Sequence, residues 1–432
     1  MLADYFHYLE DVSWRWSGRV TKATGQIVES QGPFCSIGEC CEIATYDGER
    51  FPGEIIGFHG PAVLSMALDR PMGIRFGDRV ISTGRRPSIR VGESLLGRVI
   101  DATGTPIDGK GDHRARTLWP LEGSPPNPLE RVPIRNPLGC GIRAVDAFLT
   151  CGRGQRVGIF GGSGVGKSTL IGMMARGTQA DMTVLALVGE RGREVQEFLE
   201  ELGDEGLRRA VVVVSTSDQS PLLRLRAALT ATAVAEYFSS LGKHVLLVVD
   251  SLTRVAMAQR EIGLAAGEPP AAKGYTPSVY TMLAKLVERA GQFASGSITG
   301  FYSVLMEADD QQDTLVDAVR SFLDGHIVLD RKLAVQNHYP AISVLDSISR
   351  LMSAVAKPEH IKKAATIRKM LAAYARSEDL IRVGAYQRGS DESLDRAIAA
   401  LPQIQEFLQQ SPKQIAPFEH NISALLSLPG AQ

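Results

Sequence analysis

The chain has 432 residues, of which 44% are hydrophobic and 22% charged, with a formal net charge of −1 at pH 7. This length predicts several domains, and this balance is typical of a folded protein rather than a disordered one. A near-neutral charge lacks the basic excess of a dedicated nucleic-acid binder, so we expect no nucleic-acid partner. Five cysteines without CxxC spacing indicate neither a disulfide framework nor a zinc site. No apolar run could cross a bilayer and the N-terminus does not resemble a signal peptide, so we expect a cytoplasmic protein.

The first 90 residues contain two predicted units. Residues 1–17 predict a short helix or tail in which four apolar side chains recur at helical spacing, namely Leu2, Tyr5, Phe6 and Leu9. This stripe is either a packed cap or a docking helix. Residues 18–90 predict a small β-barrel or β-sandwich, because β-favouring stretches such as 25–28 and 54–58 alternate with glycine and proline.

After a proline-rich connection at 120–137 the pattern changes, and it predicts an α/β core within residues 91–347. Apolar runs without alternation, separated by segments of helical period, are typical of strands buried on both faces of a parallel sheet. Such runs occur at 156–160, 183–188, 210–214, 244–249, 298–305 and 326–329. Residues 348–432 lack these runs and predict an α-helical domain. The predicted fold is therefore an α/β core that follows a β domain and precedes a helical one.

The strongest local motif fits GxxxxGK[ST], the P-loop, and it stands between a predicted strand and a predicted helix. Its glycines let backbone N–H groups point at phosphate oxygens, and the following helix N-terminus adds a favourable dipole. Lys167 would contact the β- and γ-phosphates, the Ser168 hydroxyl would ligate Mg²⁺, and Thr169 follows in the helix. The motif residues are Gly161, Gly162, Ser163, Gly164, Val165, Gly166, Lys167 and Ser168. They predict binding of ATP with Mg²⁺, and the alternative is a structural glycine-rich turn.

Two carboxylates complete the predicted site. Asp250 ends the apolar run at 244–249 and is the expected metal-site carboxylate behind the P-loop, although an aspartate there is also a common helix N-cap. Glu190 and its neighbour Arg191 follow another apolar run, at the sheet edge where a group that activates water is needed. Glu190 is the candidate base, and a solvated surface ion pair is the alternative.

A series of further motifs has the same order along the chain as in one known group of enzymes. These motifs are residues 96–101, 141–146, the P-loop, 189–195, 250–254, 267–270, 296–299, 309–313 and 346–350. With them the chain resembles the catalytic subunits of rotary ATPases, and among these the export ATPases of type III secretion, over about residues 18–410. Residues 383–386 and 389–391 are similar to the flagellar branch rather than the virulence branch.

The resemblance implies a RecA-like P-loop core between the β-barrel and the helical domain, in a homohexamer with ATP at the subunit interfaces. It implies that Glu190 is catalytic, that Arg191 faces phosphate, that Arg350 enters the neighbouring subunit's site and that Tyr339 stacks on adenine. The implied partners are a central stalk protein at the loop 309–313, a dimeric regulator at the N-terminus, the export gate and substrate–chaperone complexes. The implied location is cytoplasmic, with peripheral association at the inner membrane beside the export apparatus.

Two features depart from this resemblance. Residues 411–413 read Ser-Pro-Lys where ATP synthase relatives carry a second adenine-pocket aromatic, and the N-terminus is shorter than in flagellar relatives. The alternative functions are a virulence secretion ATPase, an ATP-synthase catalytic subunit, a ring subunit that binds nucleotide without hydrolysis, and an RNA-translocating hexamer. Lys167, Glu190 and Arg350 together argue against a silent subunit. The near-neutral charge and the 6% content of aromatic residues argue against an RNA motor.

Overall fold

The N-terminal part of the chain is a closed antiparallel β-barrel. We describe a computed structural model of the protein, which covers residues 15–69, 72–306 and 313–429. The barrel strands close in the order β1-β2-β5-β4-β3-β6. Their side chains alternate between the barrel core and the outside, as expected when one face of each strand is buried. These strands are β1 (Ser17–Thr24), β2 (Ile27–Gln31), β3 (Cys40–Ala44), β4 (Arg50–His59), β5 (Ala62–Ala67) and β6 (Arg79–Ser82). The barrel is confirmed, and the sandwich alternative is wrong.

A nine-stranded sheet forms the centre of the molecule, in the order β19-β18-β12-β17-β15-β13-β14-β8, with β16 paired beside β17. All neighbours along this path are parallel except β19, which is antiparallel to β18. Each of the six apolar runs lies in one of these strands. The strands after the barrel are β7 (Ser88–Val91), β8 (Arg98–Asp101), β9 (Thr117–Pro120), β10 (Pro137–Leu138), β11 (Cys151–Gly152), β12 (Arg156–Gly161), β13 (Met182–Glu190), β14 (Ala210–Thr216), β15 (His244–Asp250), β16 (Gly291–Gln292), β17 (Ser297–Leu305), β18 (Gly325–Leu329) and β19 (Ile342–Ser349).

Helices cover both faces of this sheet. In the described part of the chain they are α1 (Arg143–Phe148), α2 (Lys167–Gly177), α3 (Gly192–Arg208), α4 (Pro221–Ser240), α5 (Leu252–Ala265), α6 (Pro277–Glu288), α7 (Thr314–Phe322), α8 (Arg331–Val335), α9 (Met352–Val355), α10 (Pro358–Arg382), α11 (Glu392–Leu408) and α12 (Phe418–Ser427). Within these described residues, no helix combines the length and the apolar character that a membrane span requires.

Two hydrophobic cores lie on the two faces of the sheet, and neighbouring residues of one strand enter different cores. Val184 of β13 packs in the core that α4 to α7 cover, whereas Leu185 packs in the core shared by α1, α2 and α3. The second core also takes in Ile367 of α10 and Ile404 of α11, which are fully buried. The C-terminal helices pack directly against α1, which precedes β12 and the P-loop. This arrangement confirms the predicted fold class.

A buried polar contact also joins the C-terminal helices to the core. The Asp146 carboxylate of α1 accepts hydrogen bonds from the Cys140 N–H at 2.8 Å and from the Asn421 side-chain amide of α12 at 2.7 Å. Burial raises the pKa of Asp146 to about 7. The domain boundaries at 90 and 347 remain predictions, and both fall within strands, because β7 ends at Val91 and β19 ends at Ser349.

Candidate nucleotide site

The P-loop connects β12 to α2 at the carboxyl edge of the parallel sheet. Gly164 and Gly166 have φ of 79° and 89°, a left-handed backbone that glycine adopts with little strain. Gly166 is the N-cap of α2, and no side chain caps the helix or places an acidic group in its first turn. The N–H groups of the first turn of α2 point out of the helix N-terminus, and no acidic side chain of that turn competes for them. Phosphate binding requires this arrangement. Ser168 is exposed in this turn, whereas Val165 is buried beneath the loop.

Lys167 contacts Asp250 across the edge of the sheet. The Lys167 Nζ donates to Asp250 Oδ1 at 2.5 Å, and the Ser303 hydroxyl donates to the same oxygen at 2.6 Å. Lys167 is 9% exposed and Asp250 is 2% exposed, so water screens this ion pair weakly. The structure therefore places Lys167 and Asp250, the cation and the carboxylate that the sequence predicted for this site, in direct contact.

Two oxygen donors in this region suit a magnesium ion. Mg²⁺ prefers hard oxygen ligands and is usually held by one or two protein groups together with substrate phosphates and water. The exposed hydroxyl of Ser168 and the carboxylate of Asp250 are such donors, and Asp250 Oδ1 already accepts from Lys167 and Ser303. The donor set present at the P-loop therefore fits Mg²⁺.

Glu190 is the last residue of β13 and lies in a mostly buried carboxylate cluster. Its side chain is 16% exposed, and the Arg254 Nη2 lies 3.4 Å from its Oε2. Burial, a hydrogen bond with Glu194 and the charge of Asp250 raise the pKa of Glu190 to about 7, while Lys167 and Arg254 act in the opposite direction. A carboxyl group with a pKa near neutrality can accept a proton from water and release it again under working conditions.

Arg191 lies at the start of α3, directly after Glu190. It is the N-cap residue of α3 and is exposed, and its backbone N–H donates to the Glu194 carboxylate at 3.3 Å. The guanidinium that approaches Glu190 in the structure belongs to Arg254 instead, and it also donates to the carbonyl oxygen of Gly189. A phosphate-facing role for Arg191 remains a prediction.

Tyr339 lies against the last glycine of the P-loop. A Cβ atom placed on Gly166 would lie 3.3 Å from Tyr339 Cε1, so the tyrosine ring covers that glycine. The Gln410 N–H donates to the Tyr339 carbonyl oxygen at 2.9 Å. The segment after α11, where ATP synthase relatives carry a second aromatic, therefore runs beside Tyr339 but presents polar groups. The Arg176 guanidinium donates to the Pro412 carbonyl oxygen in this segment at 2.8 Å.

Arg350 lies near the amino ends of the parallel strands, whereas the P-loop of the same chain lies at their carboxyl ends. Strand β19 starts beside Leu329, at the carboxyl end of β18, and ends beside Gly325 at the amino end. The four residue steps of β18 between these points span roughly 13 Å. Arg350 follows directly and is exposed. The structure therefore does not bring Arg350 to the Lys167 of the same chain, and a role of Arg350 at a neighbouring subunit stays a prediction.

The same three-part architecture occurs in known proteins. Residues 20–84 match the β-barrel domain of the ATP synthase alpha/beta family, and residues 141–349 match its nucleotide-binding domain. Residues 356–427 match the C-terminal domain of the T3SS EscN ATPase. The flagellum-specific ATP synthase of Bacillus subtilis is 51% identical over 421 residues, which are 97% of this chain and 96% of the relative. The chain belongs to the flagellar and type III secretion ATPases.

Solved structures of this ATPase family agree. The assembled ATPase EscN from the enteropathogenic E. coli type III secretion system is 45% identical, with a TM-score of 0.91 over 95% of this chain and 99% of EscN. EscN in complex with its central stalk EscO is similar at a TM-score of 0.88, with 44% identity and the same coverage. The predicted enzyme class, a P-loop ATPase of the export type, is confirmed by this membership.

The sequence did not single out three side chains of this ATPase that the structure places in the site. They are Glu194, Arg254 and Ser303, which contact Glu190 or Asp250. Glu194 stands only four residues after Glu190, and this closeness along the chain could have pointed to it. Arg254 reaches Glu190 because β15 pairs with β13, which no spacing along the chain specifies. Ser303 lies in the middle of an apolar strand, so nothing local marks it.

Proposed function

We propose that this chain hydrolyses Mg²⁺-bound ATP as a homohexamer whose sites are shared between neighbouring subunits, and that this activity drives flagellar protein export. The proposal rests on one observation. Lys167, Asp250 and Glu190 lie at the carboxyl ends of the parallel strands, and Arg350 lies near their amino ends. Each chain then supplies a P-loop half-site on one flank and a guanidinium on the opposite flank. A cyclic assembly brings each guanidinium to the next chain's P-loop.

In this proposal the P-loop amides and Lys167 hold the triphosphate, and the Tyr339 ring stacks on the base. Glu190 accepts a hydrogen bond from the attacking water and takes its proton as the water oxygen bonds to the γ-phosphorus. The bond from that phosphorus to the bridging oxygen breaks, and ADP leaves with the electron pair. Arg350 of the adjacent copy stabilises the charge that develops on the transferred phosphoryl group.

Ser168 and Asp250 would hold the magnesium ion. When bound, Mg²⁺ neutralises charge on the β- and γ-phosphate oxygens. Ser303 keeps the Asp250 carboxylate oriented by its 2.6 Å hydrogen bond, and Arg254 holds the turn at Gly189 and thereby the start of the Glu190 side chain.

The proposed partners follow from the family. EscN forms a complex with a central stalk, and we propose an equivalent stalk here, with the loop 309–313 facing it. Residues 309–312 lie outside the described residues, whereas Asp313 caps α7 and accepts a hydrogen bond from Lys273 at 2.7 Å. A dimeric regulator would bind the stripe from Leu2 to Leu9, which also lies outside the described residues. The export gate and substrate–chaperone complexes at the inner membrane complete the proposal.

The ring proposal is tested by the dependence of ATPase rate on protein concentration. We expect a rise steeper than linear in the parent chain, because assembly completes the sites. Glu190→Gln should keep nucleotide binding and lose turnover, and Arg350→Ala should lose turnover likewise. Arg382→Ala is the matched control, since Arg382 is an exposed arginine of α10 whose ion pair among the described residues is with Glu378, one turn away. A linear rate, or an active Glu190→Gln variant, would contradict the proposal.

Mixing the two inactive variants tests the shared site directly. In rings assembled from equal amounts of Glu190→Gln and Arg350→Ala chains, about a quarter of interfaces combine an intact Glu190 with an intact Arg350. We expect the mixture to regain activity on that scale. Gel filtration of the isolated chain should show a ring without a second kind of subunit, whereas an ATP-synthase-type catalytic subunit would need one.

A further inference from the structure

A buried hydrogen-bond cluster surrounds the turn that carries Arg350. Gln155, the residue before β12, is fully buried. Its side-chain amide donates to the Asp324 carbonyl oxygen at 3.2 Å and to the Ser349 hydroxyl at 3.1 Å. The Asp324 carbonyl oxygen also accepts the Arg350 backbone N–H at 3.0 Å. One buried amide therefore contacts both the residue before Arg350 and the acceptor of the Arg350 backbone.

The other atoms of this cluster are also fixed. Gln155 Oε1 accepts from the Gly152 N–H at 2.8 Å, so the amide group cannot rotate freely. The Ser349 hydroxyl donates to the Thr150 carbonyl oxygen at 2.9 Å. The Asp324 carboxylate accepts three hydrogen bonds from Arg156, each at 3.0 Å, which hold the segment before β18 against β12.

Gly325 leaves no room for the cluster to shift. A Cβ atom on Gly325 would lie 2.6 Å from the Ile348 carbonyl oxygen and 3.2 Å from the Gln155 side-chain nitrogen. The backbone beside Arg350 is thus packed against the Gln155 amide on one side and paired with β18 on the other. The Arg350 side chain itself is exposed, so its position is set by the backbone at its base.

We propose that Gln155 is a positioning residue for Arg350, and that it acts on the neighbouring subunit's ATPase site rather than on the site of its own chain. The inference rests on the proposed shared site. A guanidinium that stabilises a transition state must be held in a well-defined position, because a misplacement of about 1 Å can cost roughly a hundredfold in rate. Gln155 stands six residues before the P-loop, but both hydrogen bonds that its side-chain N–H groups donate run to the Arg350 turn.

The first measurement is steady-state kinetics of Gln155→Leu, which keeps the side-chain size and loses all of its hydrogen bonds. We expect kcat to fall by about tenfold or more with KM changed less than about twofold, because a transition-state contact is weakened. Thr230→Val is the matched control: Thr230 is fully buried and donates to the Ala102 carbonyl oxygen at 2.8 Å, away from Arg350. The control should lower stability and leave kcat unchanged. A parental kcat in Gln155→Leu would overturn the proposal.

Two mixing experiments then decide which site Gln155 serves. With Glu190→Gln chains, Gln155→Leu should regain activity, because some interfaces pair its intact P-loop with an intact Arg350 turn. With Arg350→Ala chains it should regain none. The reverse pattern would mean that Gln155 supports its own P-loop, and the proposal would be wrong. If Gln155→Leu fails to fold, Ser349→Ala, which loses the hydroxyl contacted by Gln155, must show the same pattern.

The mixture of Glu190→Gln with Arg350→Ala separates this proposal from the ring proposal. If that reference mixture regains activity and the Gln155→Leu mixtures do not follow the expected pattern, only the positioning role is refuted. If the reference mixture stays inactive, the shared site is refuted and the positioning role falls with it.

Discussion

The carboxyl–carboxyl contact between Glu190 and Glu194 predicts how ATP hydrolysis depends on pH. Glu190 must be deprotonated to accept a proton from water, and its pKa is raised from 4.5 to about 7. We follow kcat/KM, because it reports the pKa of the free enzyme. Below that pKa the rate should fall about tenfold per pH unit, since only the deprotonated fraction is active. At pH 6 the parent should work at roughly a tenth of its rate at pH 8.

The perturbation is Glu194→Gln. Glutamine keeps the capping hydrogen bond to the Arg191 N–H but removes the negative charge beside Glu190, so the pKa of Glu190 should fall. A complete return of this pKa to its ordinary 4.5 would raise the rate at pH 6 by about tenfold. Burial and Asp250 still raise the pKa of Glu190, so we expect a gain between about two- and tenfold at pH 6 and little change at pH 8.

The assay is a pH series of kcat/KM between pH 5.5 and 8.5, with assembly followed by light scattering at each pH. Glu197→Gln is the matched control, because Glu197 lies on the same helix, has a side chain that is 58% exposed and, in the part of the chain that the structure describes, forms its ion pair with Arg193. Its profile should match that of the parent. A flat parental profile, or an inflection that stays in place in Glu194→Gln, would refute this account of the cluster.

Three further predictions concern the site proposed for the adenine base and the contacts between domains. Tyr339→Ala should raise KM for ATP by about five- to a hundredfold, while Tyr339→Phe keeps the ring and should stay within about threefold; an equal loss in both would refute stacking. Asn421→Ala removes a donor from buried Asp146 and should cost about 1–3 kcal/mol in the free energy of unfolding, measured with urea. Arg226→Met leaves Glu54 buried without its cation and should cost about 3 kcal/mol at pH 8. Burial already raises the pKa of Glu54, so the folded variant binds the proton more tightly than the unfolded chain, and its stability should fall from pH 5 to pH 8.

The sequence predicted those parts of the fold that one local pattern specifies. Six apolar runs identified the inner parallel strands, because both faces of such strands are buried. The edge strands β8 and β19 were not identified, since each pairs with another strand of the sheet on one side only and carries polar side chains. The sandwich alternative could not be excluded in advance, because closure of a barrel depends on the pairing of β1 with β6, which no spacing along the chain specifies.

The sequence predicted the candidate site residues that belong to a local motif. It did not predict the residues that only the fold brings to the site. The P-loop spacing located Lys167, and the ends of apolar strands located Asp250 and Glu190. Ser303 and Gln155 contact the site or the Arg350 turn from across the sheet, at sequence distances that only the strand order determines. Arg350 was identified as a candidate site residue only through the resemblance to the export ATPases, because a single exposed arginine has no distinguishing pattern in the sequence.

The position of β8 has a consequence for any attempt to isolate the nucleotide-binding part. This strand precedes residue 141, yet it hydrogen-bonds β14 along four residue pairs, from Val211 with Arg98 to Val214 with Asp101. A fragment that began at residue 141 would expose a valine-rich strand with a row of unpaired N–H and C=O groups. Such an edge recruits strands from other molecules. Shortened versions of this protein should therefore precipitate unless the segment from Arg98 to Asp101 is supplied, joined to the fragment or added as a separate peptide.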